Sequence, residues 1–282
     1  MITREKTDIL ELFQDAKSSN SFLRVAAPMV RYSKLEFRSL MRRHNVQLCF
    51  TPMITADCFA NSPSARFSEF STNSEDTPLI AQFAANKTSD LLNATEIIAP
   101  YVDGVDINCG CPQSWAIAKG YGCGLLRNPE LMSDMVKTLR RNFSNKLSIS
   151  VKIRLLHSEN FSSTVELSRQ MEACGVSFLT LHGRTPYSKT ADPVIHQGIK
   201  VVKDSLRVPL IANGNIKSIE DALEMHSITN CDGVMAASGL LTNPSLFDED
   251  NDGITSFKCI QDWANIAASA GEILHFQTFH LI

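Results

Sequence analysis

The stretch FLRVAAPMV, residues 22–30, reads as a buried β-strand that runs into Pro28 with no glycine behind it. A doubly wound nucleotide-binding sheet usually carries a GxGxxG turn after its first strand, so this turn argues against that fold. Seven more runs share the pattern: VQLCFT from Val46, TPLIAQF from Thr77, GVDIN from Gly104, LSISVKI from Leu147, SFLTLH from Ser177, VPLIAN from Val208 and DGVMAA from Asp232. All are nearly continuously apolar, as expected of a parallel sheet whose outer face is covered. Helical patterns separate most of them. Ser33 to His44 has Ser33 as N-cap, and Lys87 to Ile98 follows later. Asn128 to Arg141 opens on Asn128 as N-cap and Pro129 at the first helical position, Ser162 to Cys174 closes on Gly175, and Ser218 starts a helix with Glu220 and Asp221 in its first turn. Strands alternating with helices in this number predict a (β/α)8 TIM barrel.

The barrel is expected over residues 21–247, with a small addition at each end. In residues 1–20, Thr7 to Lys17 forms an amphipathic pattern through Ile9, Leu10 and Phe13, suited to plugging or packing on the barrel. Residues 248–282 leave room for one helix, Phe257 to Ala270, docked through Ile260, Trp263 and Ile266, before an apolar end from Ile273. This reads as a short, truncated helical C-terminal extension.

Composition narrows the class. The 282 residues are 44% hydrophobic, enough for a sizeable core and too many for wholesale disorder. No apolar run approaches the roughly 18 residues of a membrane helix. The first residues carry Glu5, Asp8, Glu11 and Asp15 and no apolar signal core, so a soluble, reducing setting is expected, the cytoplasm first, with nucleus and mitochondrion as the alternatives. The eight cysteines are scattered without a CxxC pair, and the lone CxC of Cys109 and Cys111 has no second cluster, so no metal is expected. A net charge of −3 disfavours a nucleic-acid binder at first sight. Residues 240–282, however, set Lys258 alone against six carboxylates, which leaves the rest net basic. Arg38, Arg42, Arg43 and His44 fall together, as do Arg140, Arg141 and Lys146; these suit either solvated helix faces or a polyanion docked on one side.

In a TIM barrel the strand C-termini point into one bowl. There stand Pro28 and Met29, Gln82, Asn108 and Cys111, Lys152 and Arg154, His182 and Arg184, then Asn213, Gly214 and Asn215, and finally Ala237, Ser238 and Gly239. Glycines after the last two strands, with a short following helix, suit a phosphate held by backbone N–H groups, although plain turns use the same residues. A phosphate site plus Gln82, Lys152 and His182 suits a flavin mononucleotide, with the lysine beside the pyrimidine edge of the ring. A salt bridge from Lys152 to Asp106 is the competing explanation. Cys111 sits in DINCGCP, where Asn, Gly and Pro force a turn that presents the thiol. Such a thiol can be a nucleophile, a metal ligand or a general acid.

The stretches AAPMV, AQFAA, DINCGCP, GYGCGLL, VKIR, LHGRT, ANGNI and GVMAASGLLTNP, in this order, resemble the tRNA-dihydrouridine synthase family, in particular the eukaryotic branch acting in the D-loop around position 20. The resemblance implies a flavin-dependent barrel that reduces the C5–C6 double bond of a tRNA uridine. It implies FMN reduced by NADPH, hydride passed to uracil C6, and Cys111 as the proton donor to C5. By position, Pro28, Met29, Val30, Gln82, Lys152, His182, Asn213, Gly214, Asn215, Ala237 and Ser238 would contact FMN, with Ser238 standing where the family usually has Arg. Asn108, Arg154 and Arg184 would face the uracil or the tRNA. No membrane partner is implied, and a monomer is expected. A dihydroorotate dehydrogenase-like FMN barrel acting on a free pyrimidine, and a truncated inactive synthase, are the alternatives.

Overall fold

The computed structural model describes residues 6–143, 146–249 and 251–270. Nine parallel strands form one sheet: β1 (Leu23–Ala26), β2 (Leu48–Phe50), β3 (Ile54–Thr55), β4 (Leu79–Ala84), β5 (Gly104–Asn108), β6 (Ser148–Arg154), β7 (Phe178–His182), β8 (Leu210–Asn213) and β9 (Gly233–Ala236). The order is β2-β1-β9-β8-β7-β6-β5-β4-β3, and a further pairing of β2 with β4 closes the ring. Eight strands therefore make the barrel, and all eight are those read from the sequence. The two-residue β3 is an addition that lies beside the end of β4.

Local chemistry explains several element ends. Ser218 and Asp221 form a capping box, Asn128 Oδ1 accepts the Leu131 N–H at 3.2 Å, and Gly175 terminates its helix at φ 98°. Ser33 departs from its expected role. The helix begins at Leu35 with Lys34 as N-cap, and the Ser33 hydroxyl instead bonds the Met29 N–H and carbonyl. A four-residue turn at the end of β1 competes for the same hydroxyl and wins.

Helix Ile9–Ser18 buries Ile9, Phe13 and Ala16, and packs Phe13 against Phe178 at the start of β7 with tilted rings 5.5 Å apart between centroids. It covers the N-terminal mouth of the barrel. Helix Phe257–Ala270 buries Cys259 and Ile266, with Trp263 packed beside them, a stripe of spacing i, i+4, i+7. Ile260 was expected to dock, but it stands one residue off that stripe and is exposed. The apolar end from Ile273 lies outside the described residues.

Much of the two basic clusters is tied up internally, while Arg141 and Lys146 are exposed. Asp76 is buried against Arg38 at 2.5 Å and Arg42 at 3.0 Å; burial alone would raise its pKa, but the two guanidinium groups hold it below the ordinary value. Arg43 pairs with Asp262 at 3.0 Å, and His44 Nδ1 meets Asp248 at 2.7 Å. Arg140 donates to the Gly175 carbonyl and to Ser177. These residues join helices to their neighbours, which accounts for the Arg42–Arg43 cluster without a polyanion.

Candidate active site

Strands β5 and β6 read GVDIN and SISVKIR, and their residues alternate strictly. Val105, Ile107, Ile149, Val151 and Ile153 are fully buried apolar groups, while Asp106, Asn108, Ser150, Lys152 and Arg154 share the opposite face. The polar face is the inside of the barrel, because Lys152 Nζ on β6 donates to Asn213 Oδ1 on β8 at 2.9 Å, across the intervening β7. Asn213 Nδ2 is spent on the Met235 carbonyl at 2.9 Å, so the oxygen is turned to the lysine. Burial, and then Arg154, bring Lys152 down to about 8, with Asp106 acting against them.

Cys111 lies at the rim of this bowl, partly exposed, in a turn held on several sides. Asn108 Oδ1 accepts the N–H groups of Gly110 and Cys111 at 3.2 and 3.0 Å. Arg154 Nε donates to the Gly110 carbonyl at 2.8 Å, and Cys123 N–H donates to the Cys111 carbonyl at 2.9 Å. Gly122 is in the left-handed region at φ 56°, and a Cβ there would collide with Cys111. The side chain of Cys111 rests on a small cluster of Ala84, Ala116, Tyr121 and Met53. Cys109 is fully buried instead, and burial pushes its thiol well above the ordinary range.

His182 ends β7. Burial, with Lys152, Arg154 and Arg184, takes its pKa down to about 2, so it is a neutral imidazole at working pH. Arg184 reaches its Nε2 at 3.3 Å, and since a guanidinium can only donate, the ring proton sits on Nδ1. Arg184 also donates to the Asp192 carbonyl at 2.7 Å, and Arg154 to the Thr185 carbonyl at 3.1 Å. Part of each guanidinium, expected at uracil or tRNA, is thus used on loops of the same rim. Gln82 spends both polar atoms on Asp106 and Asn108 at 2.8 Å.

Asp106 is buried and bonded by Gln82 and Ser150. Burial leads, against those bonds and Lys152, to push it up to about 6. It is the hub of this network, while Lys152 bonds Asn213; the direct pairing of the two was the wrong alternative. Thr180, beside Lys152 in the register, leaves a buried hydroxyl with no partner among the described residues. Its strand SFLTLH carried the signal, an alternating polar position between Phe178 and His182. Tyr121, pushed up to about 12 by burial and Asp57, was also missed beside Cys111.

At the other side of the rim, Gly214 at φ 142° and Asn215 at φ 56° form the turn after β8, and Ser238–Thr242 is a short helix after β9. A side chain at Gly239 would collide with the Ile216 carbonyl, so the two turns touch. Met29 is buried at the end of β1, and Val30 is exposed. These donors fit a flavin phosphate and ring: backbone N–H groups in two adjoining turns, Lys152 Nζ, the free Thr180 hydroxyl and a neutral His182. Among the described residues no group of three or more His, Cys, Asp or Glu could hold a metal.

The dihydrouridine synthase model matches residues 24–273. The chain belongs to this family. A human tRNA-dihydrouridine(20a/20b) synthase-like protein is 47% identical over 267 residues, covering 94% of this chain and 81% of the human one. The Saccharomyces cerevisiae tRNA-dihydrouridine(20a/20b) synthase is 41% identical, covering 86% of this chain and 67% of the yeast protein. A rat tRNA-dihydrouridine(16/17) synthase-like protein is 36% identical, covering 79% and 47%. In fold the family member resembles an old yellow enzyme homologue from Zymomonas mobilis, with TM-score 0.57 and 10% identity over 86% of this chain and 95% of that one.

Proposed function

We propose that the protein is a tRNA-dihydrouridine synthase acting at positions 20a and 20b. The site choice follows the higher identity to relatives named for those positions than to the one named for 16/17. The observation that carries the chemistry is the Cys111 turn, pinned by Asn108, Arg154 and Cys123 at the rim of a bowl lined by Lys152, His182 and Asn213.

Bound in this bowl, FMN would supply the hydride chemistry for uracil C6, with NADPH as its reductant. Lys152 and Thr180 offer donors to the pyrimidine edge of its ring, with Asn213 holding the lysine in place. The adjoining turns at Gly214–Asn215 and Ala237–Gly239 offer amides to its phosphate, and Pro28, Met29, Val30, Gln82 and His182 bound the ring. Cys111 delivers the proton from its Sγ to C5 and takes one back from solvent. Arg154 and Arg184 keep donors over for the uracil while bracing the loops around it.

A base buried this deep must leave its stack. Tyr32, Phe67, Trp115 and Tyr187 are exposed aromatics on segments that follow β1, β3, β5 and β7, on the same rim as Cys111; Phe67 is 91% and Tyr187 83% exposed. Aromatic faces of this kind stack on splayed nucleotides, and exposed Lys119 and Arg127 add cations beside them. tRNA is therefore the substrate that suits the rim, rather than a free pyrimidine, and the cytoplasm or nucleus is where such a substrate is met.

The test is mass mapping of dihydrouridine in tRNA from cells lacking the protein. Loss at 20a and 20b is expected, and unchanged dihydrouridine at every position would remove the proposal. Visible flavin absorbance of the purified protein tests the cofactor independently.

A further inference from the structure

Four buried side chains connect the inside of the barrel to the Cys111 turn. Asp106 Oδ1 accepts the Ser150 hydroxyl at 2.7 Å and Oδ2 accepts Gln82 Nε2 at 2.8 Å. Gln82 Oε1 accepts Asn108 Nδ2 at 2.8 Å, and Asn108 Oδ1 accepts the two amides of Gly110 and Cys111. An ionised carboxylate only accepts, and a backbone N–H only donates. With both ends of the chain fixed in sign, one orientation of the two side-chain amides satisfies every bond. Reversing either amide sets donor against donor or oxygen against oxygen, in a place where an unmade bond is costly.

We propose that Asp106 is a positioning residue which, through Gln82 and Asn108, orients the turn that presents the Cys111 thiol. This rests on the reading of Cys111 as proton donor, but its structural content is independent of that reading. Asp106 touches neither the thiol nor the open bowl; it fixes which way two amides point.

The experiment compares Asp106→Asn with Asp106→Leu. In the Asn variant the side-chain oxygen still accepts from Gln82, and its Nδ2 donates to Ser150 Oγ, which can accept. In the Leu variant Gln82 Nε2 has no acceptor, so Gln82 and, through it, the Nδ2 side of Asn108 are held less firmly, although Asn108 Oδ1 keeps its two backbone N–H donors. Lys152 loses the neighbouring carboxylate equally in the two, so their difference isolates the relay. The readout is the rate of iodoacetamide alkylation at Cys111, resolved by mass spectrometry at matched flavin content, with exposed Cys58 as internal reference. The Leu variant is expected to alkylate at Cys111 about two- to tenfold faster than the Asn variant, the factor that one lost hydrogen bond allows. Equal rates in the two variants overturn the relay. If Cys111 loosens while dihydrouridine formation is unchanged, the relay stands and the proton-donor reading falls.

Gln82→Glu provides a second measurement that does not depend on the Leu variant folding. A carboxyl at position 82 must give its proton to Asp106 to keep the bond to Asn108. The alkylation ratio to the parent should stay near one at about pH 5.5 and rise by about pH 8.5, when two carboxylates face each other. Lys152 and Cys109, the other titratable groups acting on Asp106, are present in both proteins and cancel in the ratio. A flat ratio across this range also overturns the relay.

Discussion

The barrel has two unlike arcs. Strands β9, β1 and β2 read GVMA, LRVA and LCF, and their one polar side chain, Arg24, is bonded to the Phe247 carbonyl at 3.2 Å. Strands β5 to β8 carry Asp106, Asn108, Ser150, Lys152, Arg154, Thr180, His182 and Asn213. In the first arc, charge is kept outside the ring. The Arg38–Asp76–Arg42 cluster ties the helix between β1 and β2 to the segment before β4. In the second, charge is turned inward, where low solvent access moves Asp106 up, and Lys152 and His182 down. Both arcs bury ionisable groups. The first pairs them fully and gains structure. The second bonds them without a direct ion pair, which is the condition a cofactor and substrate can relieve.

The largest effect expected from the polar arc is chemical. Cys111→Ala should lower dihydrouridine formation by about 10²- to 10⁴-fold, the range for losing a general acid, while flavin content and flavin reduction by NADPH stay near those of the parent. Cys109→Ala, two residues away but on the buried side, should leave turnover within about twofold. Single-turnover assays on both variants check this, and normal turnover in the Cys111 variant would break the assignment.

On the apolar arc the matching change is structural. Arg38→Met removes one guanidinium from buried Asp76 and also strands the Ser33 and Ser71 carbonyls that it bonds. A cost of about 3–5 kcal/mol is expected, because a buried carboxylate loses a partner. Asp76 titrates low in the fold, so this stabilisation is present above its unfolded value of about 3.9 and is lost as pH falls through the folded value. Denaturant midpoints should therefore differ most near neutral pH and converge in acid.

These two predictions mark what the sequence could show. The eight strands, Asn128, Gly175 and Ser218 were legible because periodicity and capping act within a few residues. Cys111 was legible because Asn, Gly and Pro shape its turn locally. Asp106 as a hub was not, since Gln82 lies 24 residues before it and Ser150 44 after it. Arg38 and Arg42 looked like a surface patch because Asp76, more than 30 residues on, is not visible from the cluster. Ser33 was misplaced because two short-range motifs compete for one hydroxyl, and only the path of the chain after β1 decides between them.

Asp106 gives the opposite pH sign to Asp76. Burial raises it to about 6, so the stability associated with its neutral form is fully present below about pH 4 and lost as pH rises through about 6. Two units correspond to roughly 3 kcal/mol at most. Asp106→Asn should therefore be more stable than the parent near pH 7.5 by up to that amount, with the gap closing toward about pH 4. A gap that stays constant across this range would show that Asp106 is ionised in the fold as easily as in the unfolded chain.

Ser238 tests the phosphate side of the polar arc. It begins the short helix after β9, beside the turn at Gly214, and the resemblance places Arg there in relatives. An Arg adds a charge-assisted bond to a phosphate, worth about 1.5–3 kcal/mol. Ser238→Arg should hold FMN roughly tenfold to a hundredfold more tightly, read as flavin retained after dialysis. Equal retention would mean that backbone amides alone carry the phosphate.

The smallest effect belongs to Arg43, and it separates the arcs most cleanly. The cluster at Arg42 and Arg43 invites a tRNA contact from sequence, yet Arg43 is committed to Asp262 in the last described helix, on a half-exposed pair. Such a pair is worth about 0.2–1 kcal/mol, so Arg43→Ala should shift the denaturant midpoint slightly. Its guanidinium is already neutralised by a carboxylate and releases few counterions on tRNA, so the salt slope of tRNA binding should hardly change. Lys119 is different. It is exposed at the end of the helix that follows the Cys111 turn, beside the aromatics of the rim. Removing one phosphate contact there lowers the slope by about 0.7–0.9. Titrating tRNA at several salt concentrations against Arg43→Ala and Lys119→Ala compares the two faces directly. A slope lowered more by Arg43→Ala would place the tRNA across the apolar arc and detach it from the bowl that holds Cys111.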